Sequence, residues 1–345
     1  MAIDGYGPYQ FFNTIPTARP DGIARAAVVL RTEFHLRWDA EIETTRQRTD
    51  DSSYHGRGWL YEELSALASL ALGTRLKAGN VTREFLPHGD PRGRPQEWRT
   101  IEQPRLLVTA EKPILRRATG SHSLDDLAPL RWYPQLETRE AIALVRAARL
   151  YQDGLWIVES DSQLTWLLLV SAIETAANHW RPGTEAPLDR LQSSLPGLET
   201  ILRENGDDQF VERVATLLAP YLGATRKFVE FVLRFLPPPP LVRASFAQHP
   251  WEPKAMKRSL EKIYNYRSQA LHGGKPFPAP MCMAPFGTGE PLELAETSWS
   301  LATSTAGGTW VSKDIPMMLH LFEHIVRGAL LKWWEWMANS RTRVL

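Results

Sequence analysis

Residues 162–180 read SQLTWLLLVSAIETAANHW and contain the longest apolar run of the chain. Ser160 and Asp161 stand just before it and are typical of a helix N-cap, so a helix over residues 162–180 is predicted. Glu174 and Asn178 interrupt the apolar run. Because they are four residues apart, they share one helical face, and the helix should carry a polar line inside a buried surface.

The pattern changes near residue 137. The residues after it favour long helices and predict an all-α domain over residues 137–345, with helices at 137–151, 162–180, 210–235, 254–271 and 313–338. The residues before it favour a mixed α/β domain over residues 1–136, with a helix at 59–76 and strands at 33–38, 81–86 and 98–108. The predicted fold class is α+β, with two domains in 345 residues.

Composition limits the function classes. The formal charge is only +1, so any contact with RNA must come from a local basic patch. The single cysteine, Cys282, excludes an intramolecular disulfide. The N-terminus lacks signal-peptide features and no apolar run approaches bilayer length, so a cytoplasmic protein without membrane contact is expected. No phosphate-binding glycine loop or dinucleotide fingerprint occurs, and no cofactor is predicted.

Residues 264–274, YNYRSQALHGG, place Arg267 five residues before His272. Arginine can hold a phosphate and stabilise its transition state, while histidine can move a proton near neutral pH. In an ideal helix five residues add a rotation of about 140° to a full turn, so one continuous helix would not pair the two side chains. Either the glycines 273–274 release His272 from the helical track, or a second subunit supplies the partner residue. Otherwise Arg267 is an ordinary ion-pair residue.

The Arg-x4-His spacing resembles the signature of HEPN domains, and the resemblance covers residues 137–345. A glutamate in a hydrophobic helix ahead of an Arg-Ser…His-Gly helix is similar to ApeA-like HEPN proteins. The resemblance implies a helical bundle that forms a homodimer and cleaves RNA without metal, with Arg267 and His272 as catalytic residues. It further implies a role in antiphage defence or as a toxin-like effector. Ser268 stands where the best-known HEPN ribonucleases commonly have Asn, Asp or His, so a catalytically silent RNA-binding or protein-assembly module is the alternative.

Further residues complete this hypothesis. Supporting roles are assigned to Glu174, which would neutralise Arg267 or orient His272, and to Asn178 and Ser268. The predicted RNA-binding residues combine a basic stripe with two aromatic rings: Lys254, Arg258, Lys262, Tyr264 and Tyr266. The alternative is that the basic stripe is the solvated side of an amphipathic helix. A regulatory protein or phage trigger is a further expected partner, sensed by the N-terminal domain.

A competing motif lies near the C-terminus. His320, Glu323 and His324 match the inverted zincin pattern, in which two histidines bind zinc and the glutamate acts as a base. No distant downstream glutamate follows, since Glu335 belongs to the same predicted helix. The alternative is a helix that packs its apolar side into the core. Residues 273–312 form a long Gly- and Pro-rich loop that covers the site, packs against the N-terminal domain or forms a small hairpin.

Overall fold

The structure is a computed structural model in which the fold is mostly helical, with small antiparallel sheets, as the coarse α+β prediction requires. It describes residues 3–6, 9–13, 28–32, 60–79, 83–84, 94–95, 113–119, 121–180, 186–219, 222–289, 292–299, 302–305 and 308–342. None of the helices in these ranges is long and apolar enough to cross a bilayer.

The helices of the described residues are numbered in chain order. They are α1 Leu60–Leu72, α2 Thr138–Ile157, α3 Ser162–Trp180, α4 Pro187–Ser194, α5 Pro196–Asn205, α6 Asp208–Leu218, α7 Ala224–Arg234, α8 Pro253–Gly273 and α9 Leu319–Thr342. Helix α3 has the predicted bounds, and the Oδ1 atom of Asp161 accepts a hydrogen bond from the backbone N–H of Leu164 at 2.9 Å. The predicted cap at Asp161 is therefore confirmed, and α3 packs extensively against α2.

Several helix predictions were wrong in their bounds. The helix predicted at 137–151 continues to Ile157, and the helix predicted at 59–76 ends at Leu72. Residues 210–235 were predicted as one helix, but α6 ends at Leu218 and α7 begins at Ala224. Pro220 offers no backbone donor, and Gly223 adopts a left-handed conformation with φ 83°, so the helical ladder cannot continue. The last helix begins at Leu319 rather than at residue 313, because Pro316 disfavours a helical conformation in the residue before it. Helices α4 and α5 were not predicted.

The strands are short and antiparallel. They are β1 Ile3–Tyr6, β2 Tyr9–Asn13, β3 Val28–Thr32, β4 Arg83–Glu84, β5 Arg94–Pro95, β6 Gly287–Thr288, β7 Glu293–Leu294, β8 Ala302–Thr305 and β9 Gly308–Val311. Strands β1, β2 and β3 form a three-stranded sheet in that order, with Ile3 opposite Phe12 and Tyr9 opposite Thr32. The predicted strands at 33–38 and 98–108 lie outside the described residues. Within the predicted strand 81–86, β4 pairs with β5.

One hydrophobic core joins both parts of the chain. Its buried side chains include Tyr6 of β1, Leu64 of α1, Trp166 of α3 and Trp333 of α9. The described N-terminal elements thus pack on the helices, while the predicted domain boundary after residue 136 stays a prediction. A smaller apolar cluster between α4 and α6 is built around Leu191.

Helix α9 completes the C-terminal end of α1. The guanidinium of Arg327 donates from Nε to the carbonyl oxygen of Leu70 at 2.9 Å and from Nη2 to that of Ala71. These carbonyls belong to the last turn of α1, which lacks intrahelical partners for them. Gly73 follows with φ 73°, and a Cβ atom there would lie 2.8 Å from Nε of Arg327. The close approach of Arg327 therefore requires a glycine at position 73.

The segment between α8 and α9 folds back onto α3. Within it, β6 pairs with β7 and β8 with β9, so the small hairpin that was one of the three predicted uses of residues 273–312 is found twice. Trp166 of α3 stacks between Phe277, with ring centroids 5.4 Å apart, and Phe322 of α9, at 4.7 Å. The indole N–H of Trp166 also donates to the carbonyl of Met281 at 3.1 Å. The chain that leaves α8 is thereby fixed against the core.

Candidate active site on helix α8

Helix α8 is positioned by its apolar face. Pro253 occupies its first turn, and Met256, Leu260 and Ile263 are buried at helical spacing. This face packs against α7 and α3. The same stripe reaches Arg267, which is half-buried, whereas Leu271 at the end of the stripe is exposed. The helix therefore leaves the core within its last two turns, where the predicted catalytic residues lie.

The structure brings Arg267 and Glu174 together. Nη2 of Arg267 donates to Oε2 of Glu174 at 2.8 Å, and the two side chains are only 20% and 18% exposed. The hydroxyl of Tyr264 donates to Oε1 of the same carboxylate at 2.7 Å. Each carboxylate oxygen of Glu174 thus accepts a hydrogen bond, and Glu174 is the partner that the sequence predicts for Arg267.

Tyr264 also fixes the guanidinium from its aromatic face. The ring lies 5.5 Å from Cζ of Arg267, and its other neighbour is Phe228 of α7, with centroids 5.3 Å apart. Burial, followed by the hydrogen bond and the charge of Glu174, raises the pKa of Tyr264 above its ordinary value. Nε of Arg267 is buried without a hydrogen-bond partner among the described residues. Arg267 therefore keeps an unused donor beside a fixed ion pair.

His272 lies on a different face of the same helix. It is exposed and belongs to the regular part of α8, which continues to Gly273. Only Gly274 adopts the left-handed conformation, with φ 62°, and its N–H bonds to the carbonyl of Gln269. The expectation that residues 273–274 release His272 from the helical track is therefore wrong. The described residues give no contact between His272 and Arg267, because five helical positions turn them about 140° apart.

The predicted RNA-binding residues separate into two groups. Lys254 and Arg258 are exposed on the solvent side of α8. The ammonium of Lys262 instead donates to the carbonyl of Lys313 at 2.7 Å, and the hydroxyl of Tyr266 donates to the carbonyl of Asp314 at 2.7 Å. These bonds attach the middle of α8 to the turn that precedes α9.

The two tyrosines are placed differently from the open stacking surfaces that the sequence predicts. Tyr264 is buried between Phe228 and Arg267, so it offers no face to a base. Tyr266 is half-buried and packs against Phe277, with ring centroids 6.3 Å apart. Burial and the charge of Asp314 raise its pKa to about 12. Amphipathic tyrosines on the core side of a helix commonly bury the ring and bond the hydroxyl, which explains both placements.

The remaining supporting residues are less engaged. Asn178 is exposed one turn after Glu174, and Ser268 is half-buried beside Arg267. The role of Tyr264 as the second donor to Glu174 was not predicted. Its position three residues before Arg267 was the available signal, since residues three apart meet on one helical face.

The residues of the histidine motif on α9 form hydrogen bonds with different parts of the chain. Glu323 is buried and accepts a hydrogen bond from the hydroxyl of Tyr151 at 2.5 Å. The Nε2 atom of His324 donates to the carbonyl of Pro238 at 2.9 Å. In the described ranges, no group of three or more His, Cys, Asp or Glu side chains is arranged to hold a metal ion. The alternative prediction of a helix that packs its apolar side inward agrees with the burial of Met317, Leu321 and Ile325.

His320 should make stability depend on pH. Its burial lowers its pKa to about 4, which Glu296 opposes and His324 reinforces. An unfolded histidine titrates near 6.5, so the unfolded chain takes up the proton first as the pH falls. The contribution of His320 to the free energy of unfolding is therefore full above about pH 6.5 and decreases progressively toward pH 4. We expect the advantage of wild type over His320→Gln in free energy of unfolding to fall by about 2–3 kcal/mol across this range.

Urea unfolding of both proteins at closely spaced pH values measures this difference. Other histidines are common to both chains, so their contributions cancel in the comparison. Equal pH slopes for wild type and His320→Gln would show that His320 is not held neutral by the fold.

No family model, curated protein or solved structure matches the chain. The resemblance to HEPN domains therefore stays a prediction that rests on Glu174, Arg267 and His272 and on the helices that carry them.

Proposed function

We propose that the protein is a metal-independent endoribonuclease that uses Arg267 and His272 and acts in antiphage defence or as a toxin-like effector. The observation that carries the proposal is the half-buried guanidinium of Arg267, which Glu174 holds at 2.8 Å while its Nε atom has no partner among the described residues. The exposed imidazole of His272 follows on the same helix. A permanent cation next to a titratable proton carrier suits phosphodiester cleavage.

The chemistry needs no external oxidant, metal or cofactor. The ribose 2′-oxygen attacks the adjacent phosphorus while the bond from phosphorus to the 5′-oxygen breaks. His272 takes the proton of the 2′-hydroxyl, and the 5′-oxygen leaves with a proton from solvent water. The products are a 2′,3′-cyclic phosphate and a 5′-hydroxyl. Arg267 would stabilise the charge that develops on the phosphoryl oxygens.

The helix geometry favours a site built by two subunits. Within one chain α8 directs Arg267 toward α3 and leaves His272 exposed on another face. In a twofold dimer, the same surface of each chain meets its copy, so His272 of the partner subunit can approach the phosphate that Arg267 binds. The proposed active form is therefore a homodimer.

The first experiment uses purified full-length protein and a mixture of single-stranded and hairpin RNA in excess EDTA. The proposal expects fragments that carry 2′,3′-cyclic phosphate and 5′-hydroxyl ends, formed at the same rate with and without the chelator. Fragments with 3′-hydroxyl and 5′-phosphate ends, or cleavage that requires added metal, would contradict the mechanism.

A mixing experiment tests the shared site. His272→Ala and Arg267→Ala proteins are each expected to be inactive. If each site combines residues of both subunits, a dimer of the two variants contains one intact site, and an equimolar mixture that exchanges subunits should recover about a quarter of the wild-type activity. If both residues act within one chain, the mixture stays inactive and the shared site is wrong.

A catalytically silent RNA-binding or assembly module is the second candidate. The pairing of Arg267 with Glu174 and Tyr264 favours it, because an arginine already neutralised by a carboxylate resembles a structural ion pair. This candidate predicts that RNA is bound but not cleaved under the conditions above. It also predicts that His272→Ala leaves RNA affinity unchanged.

A further inference from the structure

A small cavity lies beside the first turns of α9, away from the Arg267 site. Its volume is about 200 Å³, and four parts of the chain line it: residues 115–117, 240–242 and 292–296, and the first turns of α9. Cavities for drug-sized ligands are commonly about 300–1,000 Å³, so this one suits a smaller metabolite. We refer to it as the α9 cavity.

The α9 cavity contains a carboxylate with spare hydrogen-bonding capacity. Glu323 lines it and is only 4% exposed. Its only hydrogen bond among the described residues comes from the hydroxyl of Tyr151 to Oε1, which leaves Oε2 without a donor. A buried carboxylate is costly unless it is paired. The cavity therefore leaves Oε2 of Glu323 open to a donor from a ligand.

A second polar group in the cavity wall also lacks a partner. His320 lines the cavity, and its Nδ1 atom is buried without any hydrogen bond in the described part of the chain. By contrast, Glu296 in the same wall accepts bonds from Arg243 at 2.5 and 2.6 Å and from the N–H of His249 at 2.8 Å. Buried polar groups in proteins are normally satisfied, so two incomplete groups at one cavity indicate an absent ligand.

Two arginines and several apolar side chains also line the cavity. Arg116 and Arg117 line it and are both exposed. The nearest acidic group to Arg117 in the described residues is Asp126, at the outer limit of an ion pair, 4.0 Å. The apolar lining includes Leu115, Val242 and Leu294. The lining thus combines a buried carboxylate, two exposed arginines and aliphatic side chains, which together suit a molecule that carries both charges and an aliphatic group.

We infer that the α9 cavity binds a free α-amino acid with an aliphatic side chain. Its ammonium group would donate to Glu323, its carboxylate would bind Arg116 and Arg117, and its side chain would pack against Leu115, Val242 and Leu294. A ligand in this place touches residues on both sides of the predicted domain boundary, so its binding would stabilise their association. The inference does not depend on the proposed ribonuclease activity.

Calorimetric titration and thermal unfolding of the full-length protein test the inference, with L-leucine, L-isoleucine and L-valine as probes. Leucinamide, which lacks the carboxylate, and 4-methylpentanoate, which lacks the ammonium group, are the matched ligands. The amino acids should bind and raise the melting temperature, and both matched ligands should bind at least about tenfold more weakly, because each loses a charged hydrogen bond.

Two variants place the ligand in the cavity. Glu323→Gln should weaken amino-acid binding by about 10- to 100-fold, and Val242→Trp, at a half-exposed position, should fill the cavity and abolish binding without disturbing the core. The control is Glu335→Gln on the same helix, which is exposed and outside the cavity and should bind as wild type does. Absence of binding by all three amino acids at millimolar concentration, or equal binding by Val242→Trp, would overturn the inference.

Discussion

His272→Ala should lower the rate of RNA cleavage by about 10²- to 10⁴-fold, the usual contribution of a general acid or base. His272 is exposed near the end of α8, so its removal leaves no buried group unpaired and should not change the melting temperature. The measurement is the initial rate of cleavage in EDTA, together with a thermal melt of each protein. A loss of rate at constant stability separates a chemical role from a structural one.

The matched control is Asn265→Ala, an exposed position on the same helix. It should cleave RNA at the wild-type rate. Because histidine acts through proton transfer, the residual activity of His272→Ala should have a different pH–rate profile from that of wild type. Equal cleavage by His272→Ala and wild type would remove His272 from the mechanism and leave the silent module as the better account.

Glu296→Ala should destabilise the fold by about 3–5 kcal/mol, because it leaves the charge of Arg243 without its partner in a largely buried place. The carboxylate of Glu296 is 2% exposed and accepts two bonds from Arg243 and one from the backbone N–H of His249. It therefore joins the segment after α7 to the segment before α9. A loss of this size is a large fraction of the usual stability of a domain.

Urea unfolding of wild type and Glu296→Ala measures the effect. Glu293→Ala is the control, since Glu293 accepts hydrogen bonds from Ser245 at an exposed position and its removal should cost at most about 1 kcal/mol. If both variants lose the same amount, Arg243 is compensated by solvent and Glu296 is not a structural anchor.

The sequence predicts the long helices well and the irregular segments poorly. Helix α3 follows from an apolar run with an aspartate cap, two signals that act locally. Helices α4 and α5 are short, and their bounds depend on Pro187 and Pro196 in the first turn. Such short helices are stabilised mainly by packing, here around Leu191, which a single sequence does not reveal.

The sequence predicts which charged residues of the candidate site form a pair, but it predicts less well the directions in which the other side chains point. A charge on the apolar side of a helix is costly unless it is paired. The carboxylate of Glu174 on α3 accordingly pairs with Arg267 on α8. The direction of the His272 side chain depends on where α8 ends. Of the two adjacent glycines, Gly274 and not Gly273 adopts the left-handed conformation, so His272 stays in the helix. The burial of Tyr264 depends on Phe228, which comes from another helix.

The contact between Arg327 and α1 forms only after the ribosome has synthesised both ends of the chain. It reaches the carbonyl of Leu70 across 257 positions of the chain, and the first helix has no other described side chain bonded to that carbonyl. While the ribosome is still making the intervening residues, α1 has an open C-terminal end, and its apolar face has no α9 to cover it. Folding of the early segments is therefore completed only by a late-made helix, and a nascent chain should remain susceptible to proteases near residue 73 until α9 emerges.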